Sequence, residues 1–218
     1  MAILVMIYGQ SGTGKSTSLR NFKPEQVSIV NVLGKPFPFR ANGLKGAVSD
    51  NYEQIANLLC RTPKQSIVID DATYLMTNEF MRTARQSGYQ KFTDMAANFK
   101  GLLDLAKSLP DNKVIYIMGH VERDNDGNEK FKTIGKLLDE KICVEGLFTI
   151  VLKTVVQDKH YYFSTQNTGS DVSKSPMGMF DAPLIENDLA MVDKTIREYY
   201  GLPANDAAAD NKSANAKE

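Results

Sequence analysis

The sequence predicts an α/β domain built on a mostly parallel sheet, and three observations carry that expectation. Ala2 to Tyr8 is a continuous apolar run, as expected of a strand buried on both faces. It leads directly into Gly9-Gln10-Ser11-Gly12-Thr13-Gly14-Lys15-Ser16, which matches GxxxxGK[ST] at a strand-to-helix junction. Short apolar strands and helical periodicities then alternate as far as Gly146, the arrangement that places helices over a parallel sheet.

The elements follow in order. A short helix is expected from Lys15 to about Phe22, ended by Lys23-Pro24, and a second strand over Val27 to Leu33, closed by Gly34 and Pro36. Asp50 and Glu53 have the spacing of a capping pair and open a helix with Tyr52, Ile55, Ala56 and Leu59 on one face. Ser66 to Asp70 is a third strand. Helices follow over Tyr74 to Arg85 and Thr93 to Leu109, the second with Met95, Phe99, Leu102, Leu103 and Ala106 at helical spacing. Lys113 to Met118 is a fourth strand ending at Gly119-His120, and Asp126-Gly127 marks a turn in a polar loop that runs to Lys141.

Beyond Gly146 the pattern changes. Leu147 to Val156 and His160 to Gln166 are β-rich and separated by Gln157-Asp158-Lys159, which predicts an antiparallel hairpin added to the sheet edge. Residues 167–183 lack periodicity and are expected to form a loop. Asn187 is placed to cap a last helix carrying Leu189, Val192, Ile196 and Tyr199, stopped by Gly201 and Pro203. One domain over residues 1–203 is expected, with a disordered polar tail over 204–218.

Composition limits what such a domain can do. With 26 basic and 26 acidic residues the formal charge is zero, so any nucleic-acid or membrane partner has to be met by a local patch. The longest apolar run is too short to span a bilayer, which predicts a soluble protein with no membrane partner. Cys60 and Cys143 form no CxxC pair and only two histidines are present, which argues against a disulfide framework, a zinc site or a histidine-rich metal site. A reducing, cytoplasmic setting follows.

The GxxxxGKS run is the feature that points to chemistry. Its glycines allow successive backbone N–H groups to turn inward around an anion, and the helix start reinforces the nest. Gly9 to Thr17 would cradle the phosphates of ATP: Lys15 at the β- and γ-phosphates, Ser16 on Mg²⁺, Thr17 near the α-phosphate. Ile67-Val68-Ile69-Asp70-Asp71 is an apolar strand ending in two carboxylates, the form of a Walker B element with Asp70 in the Mg²⁺ shell. Asp71 stands where many AAA+ ATPases keep a water-polarising glutamate; it could equally cap the next turn. His120, at the end of the fourth strand, is a candidate γ-phosphate sensor or a plain surface group.

Together with Ser164-Thr165-Gln166 at the end of the hairpin and the following Lys174-Ser175-Pro176, these elements resemble the phage-encoded P-loop ATP-binding proteins of the AAA-domain nucleotide-binding family. Those proteins are similar to core-only RecA-like proteins, including the Sak-type single-strand annealing proteins, and the resemblance covers this chain from about Ala2 to Tyr200. The resemblance implies a RecA-like P-loop fold, an ATPase acting on single-stranded DNA in phage recombination or replication, a host-cytoplasmic location, and an oligomer, ring or filament. It matches Lys15, Ser16 and Asp70 to nucleotide and metal positions and His120 to the sensor. Lys174 falls where RecA-like filaments place a basic residue that reaches a neighbouring subunit's ATP, although a solvated loop lysine would look the same. One departure stands out: RecA-like enzymes carry a catalytic glutamate after the second strand, whereas Val30-Asn31-Val32-Leu33-Gly34-Lys35 contains no carboxylate. Either Asp71 serves as the base, or turnover is slow and binding is the switch.

Residues 81–100 hold Arg82, Arg85, Lys91 and Lys100 against the single acid Asp94, interleaved with Tyr89, Phe92 and Phe99. Basic charge with aromatics suits a single strand, with Arg82, Arg85, Tyr89, Lys91 and Phe92 as candidate contacts; a solvated helix face has the same composition. Residues 121–141 hold five basic and six acidic residues, so charge gives no support there. Two other functions stay open. One is an AAA+-type switch or loader acting on another protein, against which the chain has no helical lid after the core. The other is a small-molecule kinase, whose arginine-rich lid is missing, since Arg123 is the only arginine in 121–145.

Overall fold

In the computed structural model, which describes residues 1–205, the apolar runs assemble into one nine-stranded sheet. The strands are β1 (Ile3–Gly9), β2 (Val27–Asn31), β3 (Gly46–Val48), β4 (Ser66–Asp70), β5 (Val114–Arg123), β6 (Glu129–Phe131), β7 (Ile150–Gln157), β8 (His160–Ser164) and β9 (Leu184–Glu186). Their order is β3-β2-β4-β5-β1-β7-β8-β9, with β6 pairing off the path to β5. From β3 to β7 every neighbouring pair is parallel, while β7–β8, β8–β9 and β5–β6 are antiparallel. The α/β class, the mostly parallel sheet and the terminal hairpin are therefore as expected. β9 joins the hairpin as a short third strand.

Side-chain alternation along the central strands splits the core in two. On β1, Leu4, Met6 and Tyr8 face one layer and Val5 and Ile7 the other; on β5, Ile115 and Ile117 oppose Val114, Tyr116 and Met118. The first layer is covered by α1 (Tyr52–Arg61), α2 (Thr73–Arg82) and α3 (Gln90–Ser108), with Met95, Phe99, Leu102, Leu103 and Ala106 of α3 all buried. The second is covered by the 3-10 helix Ser16–Asn21 and by α5 (Leu189–Tyr200), through Leu19, Val192 and Ile196. The short α4 (Lys136–Lys141) lies against α3.

Several local expectations are corrected. The helix after Lys15 is a 3-10 turn rather than an α-helix, because the Ser18 hydroxyl donates to the Lys15 carbonyl at 2.6 Å and the chain is already extended at Phe22, ahead of Pro24. Asn51, not Asp50, caps α1 by accepting from the Gln54 N–H; Asp50 instead accepts from Asn78 and Arg82. Asp188, not Asn187, caps α5. β5 does not end at Met118 but runs on through His120 to Arg123, because β6 supplies it with a partner. The expected polar loop running to Lys141 is thus a hairpin and a helical turn, its bend held by Asp124 accepting from the N–H groups of Asp126 and Asn128. Asn205, assigned to the tail, hydrogen-bonds Ser66 and Gln26; the rest of the tail, 206–218, lies outside the described residues.

The hairpin β5–β6 is tied to β7 by charge. Lys153 lies 2.6 Å from Glu129 and 3.7 Å from Asp171, and Arg123 lies 3.1 Å from Glu129. Lys153, then Arg123, hold the Glu129 carboxyl below its ordinary range; for Asp171, burial pushes upward but bonds from Thr168 and Ser173 with the Lys153 charge bring it below. Carboxyls depressed in the folded state stabilise it above their unfolded values and lose that contribution as pH falls. A thermal-melt series from pH 6 down to roughly 3 should therefore show Glu129→Gln losing less stability on acidification than the wild type. Parallel curves would remove this network from the acid response.

Candidate functional site

The loop from Gly9 to Ser16 joins the end of β1 to the 3-10 helix at the C-terminal edge of the sheet. Gly12 and Gly14 have φ of +79° and +99°, left-handed values that a side chain disfavours. Among the described residues, the N–H groups of Gly14, Lys15, Ser16 and Thr17 donate to no backbone carbonyl, so this turn keeps its donors free. Lys15 is buried, and its ammonium donates to the carbonyls of Gly9 at 2.9 Å and Gln10 at 2.8 Å. Burial pushes its pKa down to about 8 despite the pull of Asp71 and Asp70. Thr13 is held from the other side by a 2.5 Å contact with Thr154 of β7.

β4 ends two strands away, with β5 between it and β1, and brings Asp70 and Asp71 to the same edge. Asp70 is buried; burial raises its carboxyl, and the Ser16 hydroxyl and the Asp71 N–H, at 3.0 Å, offset this only in part. Asp71 does not cap α2, whose N-terminus has no side-chain cap. Its φ of +59° turns the carboxylate into the cleft. There it meets Lys35 Nζ at 2.7 Å and His120 Nε2 at 3.6 Å. Burial would raise Asp71, but His120 and Lys35 outweigh it and leave the carboxyl below its ordinary range. His120 is fixed by its backbone N–H donating to Thr73 Oγ1 and by an edge contact with the Tyr74 ring, while among the described residues Nε2 has no hydrogen-bond partner.

These groups line one cleft of about 570 Å³ together with Asn31, Pro36, Phe37 and Tyr161. Two cations, Lys15 and Lys35, face two carboxylates across it. The expected constellation of Lys15, Ser16, Thr17, Asp70, Asp71 and His120 is therefore brought together. Lys35 was not anticipated as a site residue. It occupies the turn after β2 where RecA-like enzymes carry a glutamate, and the Asn31 side chain fixes that turn by donating to the Lys35 carbonyl at 2.7 Å.

Lys174 is not brought to the cleft. Its backbone pairs with Val151, opposite Met6 in the middle of β1, and its side chain is exposed. The basic stretch is largely spoken for: Arg82 pairs with Asp50 at 2.6 Å, and Lys91 donates to the Gln86 carbonyl and lies over the rings of Phe80 and Phe92. Phe92 stacks on Phe80 against the core. Arg85 and Tyr89 stay exposed, Tyr89 at 88%.

No family model matches the chain, and no curated protein matches it either. Among the described residues, no helix is long and apolar enough to cross a membrane.

Proposed function

We propose that the cleft binds ATP as its Mg²⁺ complex, with Gly9 to Thr17 acting as a P-loop in a RecA-like core, and that the chain is a slow ATPase acting on single-stranded DNA in phage recombination or replication. The observation that carries nucleotide binding is Lys15: a buried ammonium, parked on the carbonyls of its own loop, beside a turn of free N–H donors and opposite the Ser16–Asp70 pair. Asp70 forms no ion pair among the described residues, and its raised carboxyl suits a divalent cation shared with Ser16. Bound Mg²⁺ would supply charge neutralisation at the phosphates; Lys15 would bind them, and Thr17 would lie alongside. The placing of β5 between β1 and β4, with His120 level with Gly9, suits a γ-phosphate sensor.

Calorimetric titration with ATP, with and without Mg²⁺, tests the nucleotide half, and Mg²⁺-independent or absent binding would overturn it. The DNA half rests on the family resemblance and on the exposed Arg85 and Tyr89. It expects phosphate release to rise with added single-stranded DNA and binding to weaken with salt. Release of a phosphorylated small molecule in place of free phosphate would point to a kinase.

One observation favours a nucleotide-dependent switch as second reading: the carboxylate best placed to orient water, Asp71, is engaged by Lys35 and held low. If Asp71 nonetheless acts as base, Asp71→Asn lowers kcat by roughly 10²- to 10⁴-fold with ATP affinity unchanged. In a pure switch the same variant leaves the already slow turnover where it was. Lys35→Ala separates the two again, since freeing Asp71 should raise kcat only where Asp71 works on water.

A further inference from the structure

A second cleft, of about 470 Å³, opens beside the first and shares Thr17 and Tyr161 with it. We infer that it is the nucleoside subsite, with the base of the bound nucleotide stacked on Tyr161 at the tip of the β7–β8 hairpin. This rests on the P-loop reading above. Asp70 and Ser16 would hold the metal end of the phosphate chain on the β4 side of β1, and the chain would then leave past Thr17 toward the opposite side. That side is occupied by β7 and β8, and the cleft beginning at Thr17 is what the chain would enter.

The lining suits a nucleoside. Tyr161 is 42% exposed and its ring borders Gly14: a Cβ on that glycine would stand 2.9 Å from Tyr161 Cδ1. The hairpin tip is set by Asp158 and Lys159, both at positive φ, so the ring is presented by a fixed turn. Arg20 forms the floor, donating to the Asn187 carbonyl and pairing with Glu186 at 3.1 Å, and so offers a donor and an acceptor side by side at the rim. Asn187 is fully buried beneath Gly14, and among the described residues neither of its side-chain amide atoms is hydrogen-bonded. The other aromatic edge of the site is already used, because Phe37 stacks on Phe39 at 5.2 Å and packs on the core.

Calorimetric affinities for Mg·ATP and Mg·tripolyphosphate test the subsite without activity. The wild type should bind ATP more tightly than tripolyphosphate. Tyr161→Ala should lower ATP affinity by roughly 5- to 100-fold, the range of a lost base–aromatic stack, and leave tripolyphosphate unchanged. Tyr161→Phe should keep the wild-type ratio. An unchanged ratio in Tyr161→Ala, or a ratio that collapses in Phe37→Ala instead, overturns the subsite while leaving the P-loop standing. Wild-type protein that binds neither ligand overturns both. Because Tyr161 is exposed, thermal melts of the two Tyr161 variants should match the wild type, so that a loss of ATP affinity in them reads on binding.

Discussion

Lys15→Ala is expected to remove nucleotide binding from a protein that still folds. Truncating one partner of a buried, hydrogen-bonded charge contact costs about 2–5 kcal/mol, so Mg·ATP affinity should fall at least roughly 30-fold and the nucleotide-dependent rise in Tm should disappear. The empty fold should not suffer in the same way. Burial holds the Lys15 ammonium at a pKa of about 8, below the ordinary lysine value of about 10.4, so the folded state carries a penalty for the charged form. That penalty is present below pH 8 and is relieved as pH rises from there toward about 10.4, because the unfolded chain then binds the extra proton. Melts should accordingly show the wild type gaining on Lys15→Ala across that alkaline window. A variant that binds Mg·ATP normally would remove the glycine-rich loop from the site.

The second large effect is expected at the opposite edge of the sheet. Arg197 and Asp193 of α5 are buried at 2.7 Å from one another. Asp193 accepts from Ser66 at 2.6 Å and Tyr116 at 2.7 Å, while Arg197 also reaches Ser66, Gln65 and the Asn112 carbonyl. The network pins α5 to the starts of β4 and β5. Arg197→Ala leaves a buried carboxylate unpaired, which costs about 3–5 kcal/mol, or about 6–20 °C in Tm for a chain of this size. Asp193→Leu with Arg197→Met should lose less than Arg197→Ala alone, since no charge is then stranded. Nucleotide affinity should be unchanged in every variant that folds. A loss below 1 kcal/mol for Arg197→Ala would mean that water reaches this network.

How much of this could be read from sequence depended on how far the information lay from the residue concerned. Ala2–Tyr8 and Ile67–Ile69 are uninterrupted apolar runs followed by glycine or by carboxylates, so both the strands and the ends that they bring to the cleft were legible locally. Lys35 was not, because a lysine after a glycine looks like any surface turn. Only the pairing of β2 with β4 brings it to Asp71. Tyr161 likewise gains its place only because β7 lies along β1. The continuation of β5 from His120 to Arg123 is mostly polar and becomes a strand through β6, a three-residue partner whose one apolar residue, Phe131, pairs with Val121 and is buried. Asp193 and Arg197 sit four apart on α5 and resemble a solvated i,i+4 pair; both are instead buried with Val192 and Ile196.

The left-handed backbone at Asp71 restricts which residues this lineage of sequence can place there. Aspartate and asparagine tolerate φ near +59° because their short side chains bond locally, whereas longer side chains incur about 1–2 kcal/mol. A glutamate, the more familiar water-orienting residue, is therefore disfavoured by the way β4 turns into α2, whatever its chemical merit. Substitution there is channelled toward Asn and Gly. Drift at this position would remove the carboxylate before it could lengthen it, and a longer acid there would require rebuilding the turn first.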